Sequence, residues 1–183
     1  MKTRAMADVC LKGKSVIICD GKGCQWIGDG SAFFAVYGLP HLTPEGFCGV
    51  FDIPEDCSSM VRAKDAIPLF DEFYEGEIAV ERDALAAKYC PDGLEVFSTS
   101  KGLTFIRDKY LKPFDRKSQN LFFFERGNVI AVKEGITLRA VIAPCLLLND
   151  QYIDGLADFL EKCRATALNT SKDTTEDAFC EVK

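Results

Sequence analysis

Apolar residues fall in short runs through most of the chain and change to a three-to-four spacing only near its end. Leu121-Phe122-Phe123-Phe124, Val129-Ile130-Ala131-Val132 and the segment Ile136 to Ile142 are separated by Arg126-Gly127-Asn128 and Lys133-Glu134-Gly135, turn residues that tolerate positive φ, so three short strands are predicted. In the third, Ile136, Leu138, Ala140 and Ile142 alternate with Thr137, Arg139, Val141 and Ala143, which predicts one apolar row on one face. Pro144 ends it, because proline cannot donate to a ladder. Beyond Asn149 or Asp150, either of which can cap, Ile153, Leu156, Phe159 or Leu160, Cys163 and Ala167 form the stripe of an amphipathic helix reaching Leu168. Asp150 and Asp154 near its start, with Lys162 and Arg164 near its end, suit the helix dipole. Gly155 is the discord, costing about 1 kcal/mol relative to alanine. It requires either compensation from cap and packing or a close approach at that point.

The first part of the chain reads as a meander from Val9 to Tyr37. Strands at Val16–Cys19, Cys24–Ile27 and Ala32–Tyr37 are punctuated by Asp20-Gly21-Lys22-Gly23 and Gly28-Asp29-Gly30, as hairpin turns require. Thr43-Pro44-Glu45 supplies a cap and a first-turn proline for a short helix near 44–51. Further strands are expected at Ile78–Val80, Leu94–Phe97 and Leu103–Ile106, while Ala84–Tyr89 reads equally as helical turn or strand. The fold class is therefore α+β: an antiparallel sheet of short meandering strands, a C-terminal amphipathic helix packed on it, and the short helix near 44–51. Residues 1–168 form one domain and residues 169–183, polar and aperiodic, a flexible tail.

Composition narrows the classes. A chain of 183 residues, 48% hydrophobic and 27% charged, suffices for one well-buried core. Met1 to Ala7 lacks the apolar run of an export signal and no stretch approaches 18 apolar residues, so a cytoplasmic protein with no membrane association is expected. The nine cysteines are odd in number and none is paired as C-x-x-C, which favours reduced thiols over a disulfide scaffold and gives no zinc knuckle.

Catalytic constellations are not legible. The one histidine, His41, sits between prolines and leucines in a linker, away from any obvious nucleophile. Gly21 and Gly23 do not complete G-x-G-x-x-G and precede a strand, so hairpin turns explain them better than phosphate binding. No catalytic residue, metal ligand set or cofactor is assigned, and the chain is read as a non-enzyme.

Charge layout is more informative. Glu45 to Asp83 holds eleven acidic residues against three basic ones, a local charge of −8 in a chain of −6, leaving +2 elsewhere. Within it Asp52, Glu55, Asp56, Asp65, Asp71, Glu72, Glu75 and Glu77 are candidates for a surface that binds a basic partner, such as a channel that holds nucleic acid. A solvated acidic face and a magnesium site are the other readings of the same residues. The charge then reverses: Lys101, Arg107, Lys109, Lys112, Arg116 and Lys117 face only Asp108 and Asp115. With Phe105, Tyr110 and Phe114 interleaved, this segment is the alternative candidate, a nucleic-acid interface of an accessory protein of DNA metabolism.

Cys19 to Tyr37, Ser100 to Phe114 and Leu138 to Lys162, together with the size and the wealth of cysteine and phenylalanine, resemble small proteins carried by phages of gut Firmicutes. That group resembles the source of type II-A anti-CRISPR proteins. The resemblance implies a non-enzymatic inhibitor that binds a bacterial type II CRISPR nuclease directly in the host cytoplasm and blocks DNA binding or cleavage. The resemblance admits a nuclease with or without its guide RNA and a homodimeric inhibitor.

Overall fold

The computed structural model describes residues 1–65, 70–146 and 148–177, with side chains described through residue 167 except that of Asp56. Among the described residues three α-helices, α1 (Thr3–Lys12), α2 (Pro44–Val50) and α3 (Asp150–Asp177), accompany ten strands. These are β1 (Val16–Asp20), β2 (Gln25–Gly28), β3 (Ala32–Val36), β4 (Val61–Asp65), β5 (Ile78–Arg82), β6 (Leu94–Thr99), β7 (Gly102–Arg107), β8 (Leu121–Arg126), β9 (Val129–Glu134) and β10 (Thr137–Ile142). They form one sheet in the order β4-β1-β2-β3-β10-β9-β8-β5-β6-β7. Every pairing is antiparallel except β1 with β4. The α+β class, the α2 segment and the C-terminal helix are as the sequence predicts.

Ten twisted strands do not stay in an open plane. One face of all ten supplies a single core: Val16, Ile27, Phe34, Val61, Val80, Phe97, Ile106, Phe123, Ile130 and Ala140 belong to it, together with Met6, Ala7, Val9 and Cys10 of α1 and Phe47 of α2. The sheet is curled around α1. Consistent with that, Lys109 and Tyr110, just past the β7 edge, reach Asp29 in the β2–β3 turn, and the Cys145 amide donates to the Phe105 carbonyl at 2.7 Å. β5 forms the corner, pairing with β8 through Ile78–Val80 and with β6 through Glu81 and Arg82.

The first helix departs from the expected meander. Met6, Ala7, Val9 and Cys10 are buried at helical spacing, but Lys2 makes no side-chain cap, so the usual start signal is missing. The end is anchored from outside, by the Lys2 amide on the Pro113 carbonyl at 2.7 Å and the Met1 ammonium on Glu134 at 3.1 Å. By contrast, the Thr43 hydroxyl accepts from the Gly46 amide at 3.1 Å and caps α2 as its sequence indicates.

The alternation expected over Ile136 to Ile142 is broken. Register shifts between Leu138 and Ala140, so a bulge puts Leu138 in a second core with Trp26, Ala131 and Val141, while Ala140 and Ile142 remain in the first. An inserted residue flips the facing of what precedes it. Ile136 lies in the β9–β10 turn and is 91% exposed.

α3 buries Leu156 and Leu160 against Ala86, Val96 and Phe105, so it packs on the β6–β7 end rather than on β8–β10. Its backbone remains helical to Asp177, past the Leu168 boundary; residues 178–183 of the expected tail, with Cys180, lie outside the described residues. The undecided segment at Ala84–Tyr89 contains a 3₁₀ turn, Ala86–Lys88. Asp83 joins it to the helix: its Oδ1 accepts from the Leu85 and Ala86 amides, and its Oδ2 from Ser98 and from Arg164 of α3. Burial pushes the Asp83 carboxyl up, but these donors outweigh it and hold it below the ordinary carboxylate range.

Candidate functional site

On the face of the sheet opposite α1, the segment Phe70–Glu77 crosses as a strap. Phe70 stacks on Trp26 with ring centroids 4.5 Å apart. Arg126, fully buried, donates from Nη1 to the Asp71 carbonyl at 2.6 Å and from Nε and Nη2 to Glu77 Oε1 at 3.0 and 2.8 Å. Lys133 pairs with the other Glu77 oxygen. The Leu138 amide and the Tyr37 hydroxyl donate to Glu72 at 3.1 and 3.4 Å, and Lys22 lies 3.3 Å from Asp71. Burying a charge is costly unless it is paired and hydrogen-bonded. Arg126 meets that condition by drawing the strap onto the sheet.

Between the strap and the β9–β10 turn runs a groove of about 1010 Å³. Phe124, Tyr74 and the Glu77–Lys133 pair line it, and Phe73 and Ile136 stand at its margins, 95% and 91% exposed. Glu72 and Glu75, both exposed, add negative charge to the lining. Large apolar side chains so fully in water are a feature of interaction surfaces.

The acidic candidates therefore divide. Asp71, Glu72 and Glu77 hold the strap, and only Glu75 of that group is exposed and without such a bond among the described residues. Asp52, Glu55 and Asp65 are exposed elsewhere, Asp52 past the end of α2 and Asp65 at the end of β4 beside Asp20 of β1. The side chain of Asp56 lies outside the described residues. Three of the segment's carboxylates are thus matched within the chain: Asp83 by Arg164, Glu77 by Arg126 and Lys133, and Asp71, at the surface, by Lys22.

The basic candidates are dispersed as well. Phe105, Tyr110 and Phe114 are 2%, 2% and 4% exposed, so none can stack on a base. Lys101 donates to the Gly127 carbonyl at 2.7 Å, Lys109 pairs with Asp29 at 3.2 Å, and Arg116 pairs with Glu95 at 2.8 Å. Arg107, Lys112 and Lys117 are exposed. His41 is bound at the surface to Asp20 at 2.9 Å. Among the described residues no three His, Cys, Asp or Glu side chains gather as a metal site, and no helix is long and apolar enough to cross a membrane.

Phe73 and Ile136 are what sequence reasoning missed. In the sequence Phe73 is one aromatic among carboxylates and Ile136 the first member of a strand row, and neither carries a local mark of exposure. No family model, no curated protein and no solved structure matches the chain.

Proposed function

We propose that this chain is a binding protein rather than an enzyme, and that the groove between the strap and the β9–β10 turn is its contact face. The observation that carries the reading is the pair Phe73 and Ile136, each more than nine-tenths exposed at the margins of one groove. Aromatic side chains of this kind serve as anchors at protein interfaces. The exposed carboxylates Glu72 and Glu75 beside them favour a partner with basic residues around an apolar contact, because complementary charge speeds encounter and fixes orientation.

The partner class with a basic surface that the sequence resemblance supplies is a type II CRISPR nuclease of the bacterial cytoplasm, whose nucleic-acid channel is positively charged. Binding there excludes DNA and so inhibits cleavage. The test is titration of the protein into the purified nuclease, with and without guide RNA, followed by a DNA cleavage assay. Inhibition by the parent protein, lost in Phe73→Ala and in Ile136→Ser while both variants melt normally, is the expected result. Inhibition unchanged in both variants would exclude the groove, and absence of binding in either nuclease state would exclude that partner. Charge reversal belongs at Glu75, Asp52, Glu55 and Asp65, since reversal at Asp71 or Glu77 would release the strap.

A further inference from the structure

We propose that a second, separate pocket beside the end of β7 binds the phosphate group of a small phosphomonoester between Arg107 and Lys109. The pocket, about 390 Å³, is enclosed by four distant parts of the chain: the turn after α1, the β2–β3 turn with Asp29 and Ser31, the 3₁₀ turn after β7 with Lys109 and Tyr110, and the segment from Ala143 to Leu146. The curl of the sheet is what brings them together.

Asp29 lies in this lining but is not open to a cation. Its Oδ1 accepts from the Ser31 and Ala32 amides at 3.0 and 3.1 Å, and its Oδ2 from Lys109 Nζ at 3.2 Å and the Tyr110 hydroxyl at 2.8 Å. Four donors exhaust its two oxygens, and the side chain is 6% exposed. Lys109 matches its charge, and with Asp29 and Tyr110 each taking one of the three donors of its ammonium, one remains for a ligand. Arg107 then supplies a positive charge that nothing answers; its side chain is exposed and makes no ion pair or hydrogen bond among the described residues. The guanidinium fork suits phosphate oxygens two at a time, with the Lys109 ammonium as a further donor. The volume exceeds that of a phosphate alone, and Pro144 and Leu146, the latter 89% exposed, provide apolar contact for the body of the ligand.

The same phosphate chemistry is offered by a mononucleotide and by a nucleic-acid backbone, so both are tested. Isothermal titration of the full chain with inorganic phosphate and with a 5′-mononucleotide should give saturable binding, weakened about tenfold or more in Arg107→Ala, partly restored in Arg107→Lys, and unchanged in Lys101→Ala. A thermal melt of Arg107→Ala should match the parent, since the side chain holds nothing in the fold. No saturable response to phosphate or mononucleotide, or equal affinity in Arg107→Ala, overturns the proposal. An oligonucleotide without terminal phosphate that binds as tightly as the mononucleotide overturns the monoester assignment in favour of the backbone. Neither result bears on the Phe73 groove, whose test reads nuclease inhibition.

Discussion

Arg126 and Glu77 form the buried pair on which the strap depends: Nε and Nη2 of the arginine both reach Oε1 of the glutamate, at 3.0 and 2.8 Å, with the arginine side chain wholly shielded from water. Glu77→Gln leaves the guanidinium buried without its counter-charge, and breaking such a pair from one side costs about 3 to 5 kcal/mol. Urea denaturation should show that loss. A change below about 1 kcal/mol, the scale of an exposed pair, would mean that the pair does not hold the strap.

Asp83 predicts an acid-dependent term. Its carboxyl lies below its ordinary value in the folded protein, so the contribution is present above the unfolded value of about 3.9 and is lost as pH falls through the lower folded value. Asp83→Asn should therefore be less stable than the parent at neutral pH, with the gap closing below about pH 4. Chemical denaturation at several pH values measures it; a gap that widens in acid would contradict the sign.

Two neighbours in α3 should respond in opposite directions. Leu156 is 7% exposed within the α3–β7 cluster, and truncation to alanine should cost about 2 to 5 kcal/mol. A Cβ added at Gly155 meets no atom within 4 Å, so nothing approaches the helix there, and Gly155→Ala should gain about 1 kcal/mol from helix propensity alone. Thermal melts of the two variants decide both.

Cys10 should be the least reactive of the described thiols. Burial, aided by nearby Asp29 and opposed by Lys109, pushes it up to about 12, and the thiolate is the nucleophile. Alkylation at pH 8 followed by peptide mass spectrometry should modify Cys48 and Cys163 well before Cys10. Early labelling of Cys10 in the folded protein would contradict its place in the core.

Period and turn chemistry made most strands legible, since glycine and polar pairs bracket runs such as Val129–Val132, and Thr43-Pro44 announced α2 through a cap that forms. What escaped notice lacked local marks. α1 is held by Glu134 and Pro113, more than a hundred residues away, and β4 has only Val61 buried among five residues. The candidate sites were harder for a related reason. Charge can be counted along a chain, but whether it faces solvent depends on partners: Arg126 cancels Glu77, and Asp29 takes Lys109, without any signal near those residues. The phenylalanines of the basic segment went inward for the same apolar area that made them look like stacking platforms.

The one-residue irregularity at Leu138–Ala140 lets β10 be shared property of two interiors. Upstream of it Leu138 serves the layer beneath the strap; downstream Ala140 and Ile142 serve the layer around α1, while Val141 joins Leu138 beneath the strap. Were the strand to pair regularly through Arg139, Leu138 would share a face with Ala140 and turn away from Trp26. The pairing of this strand, as much as its composition, therefore sets whether the strap has a surface to lie on.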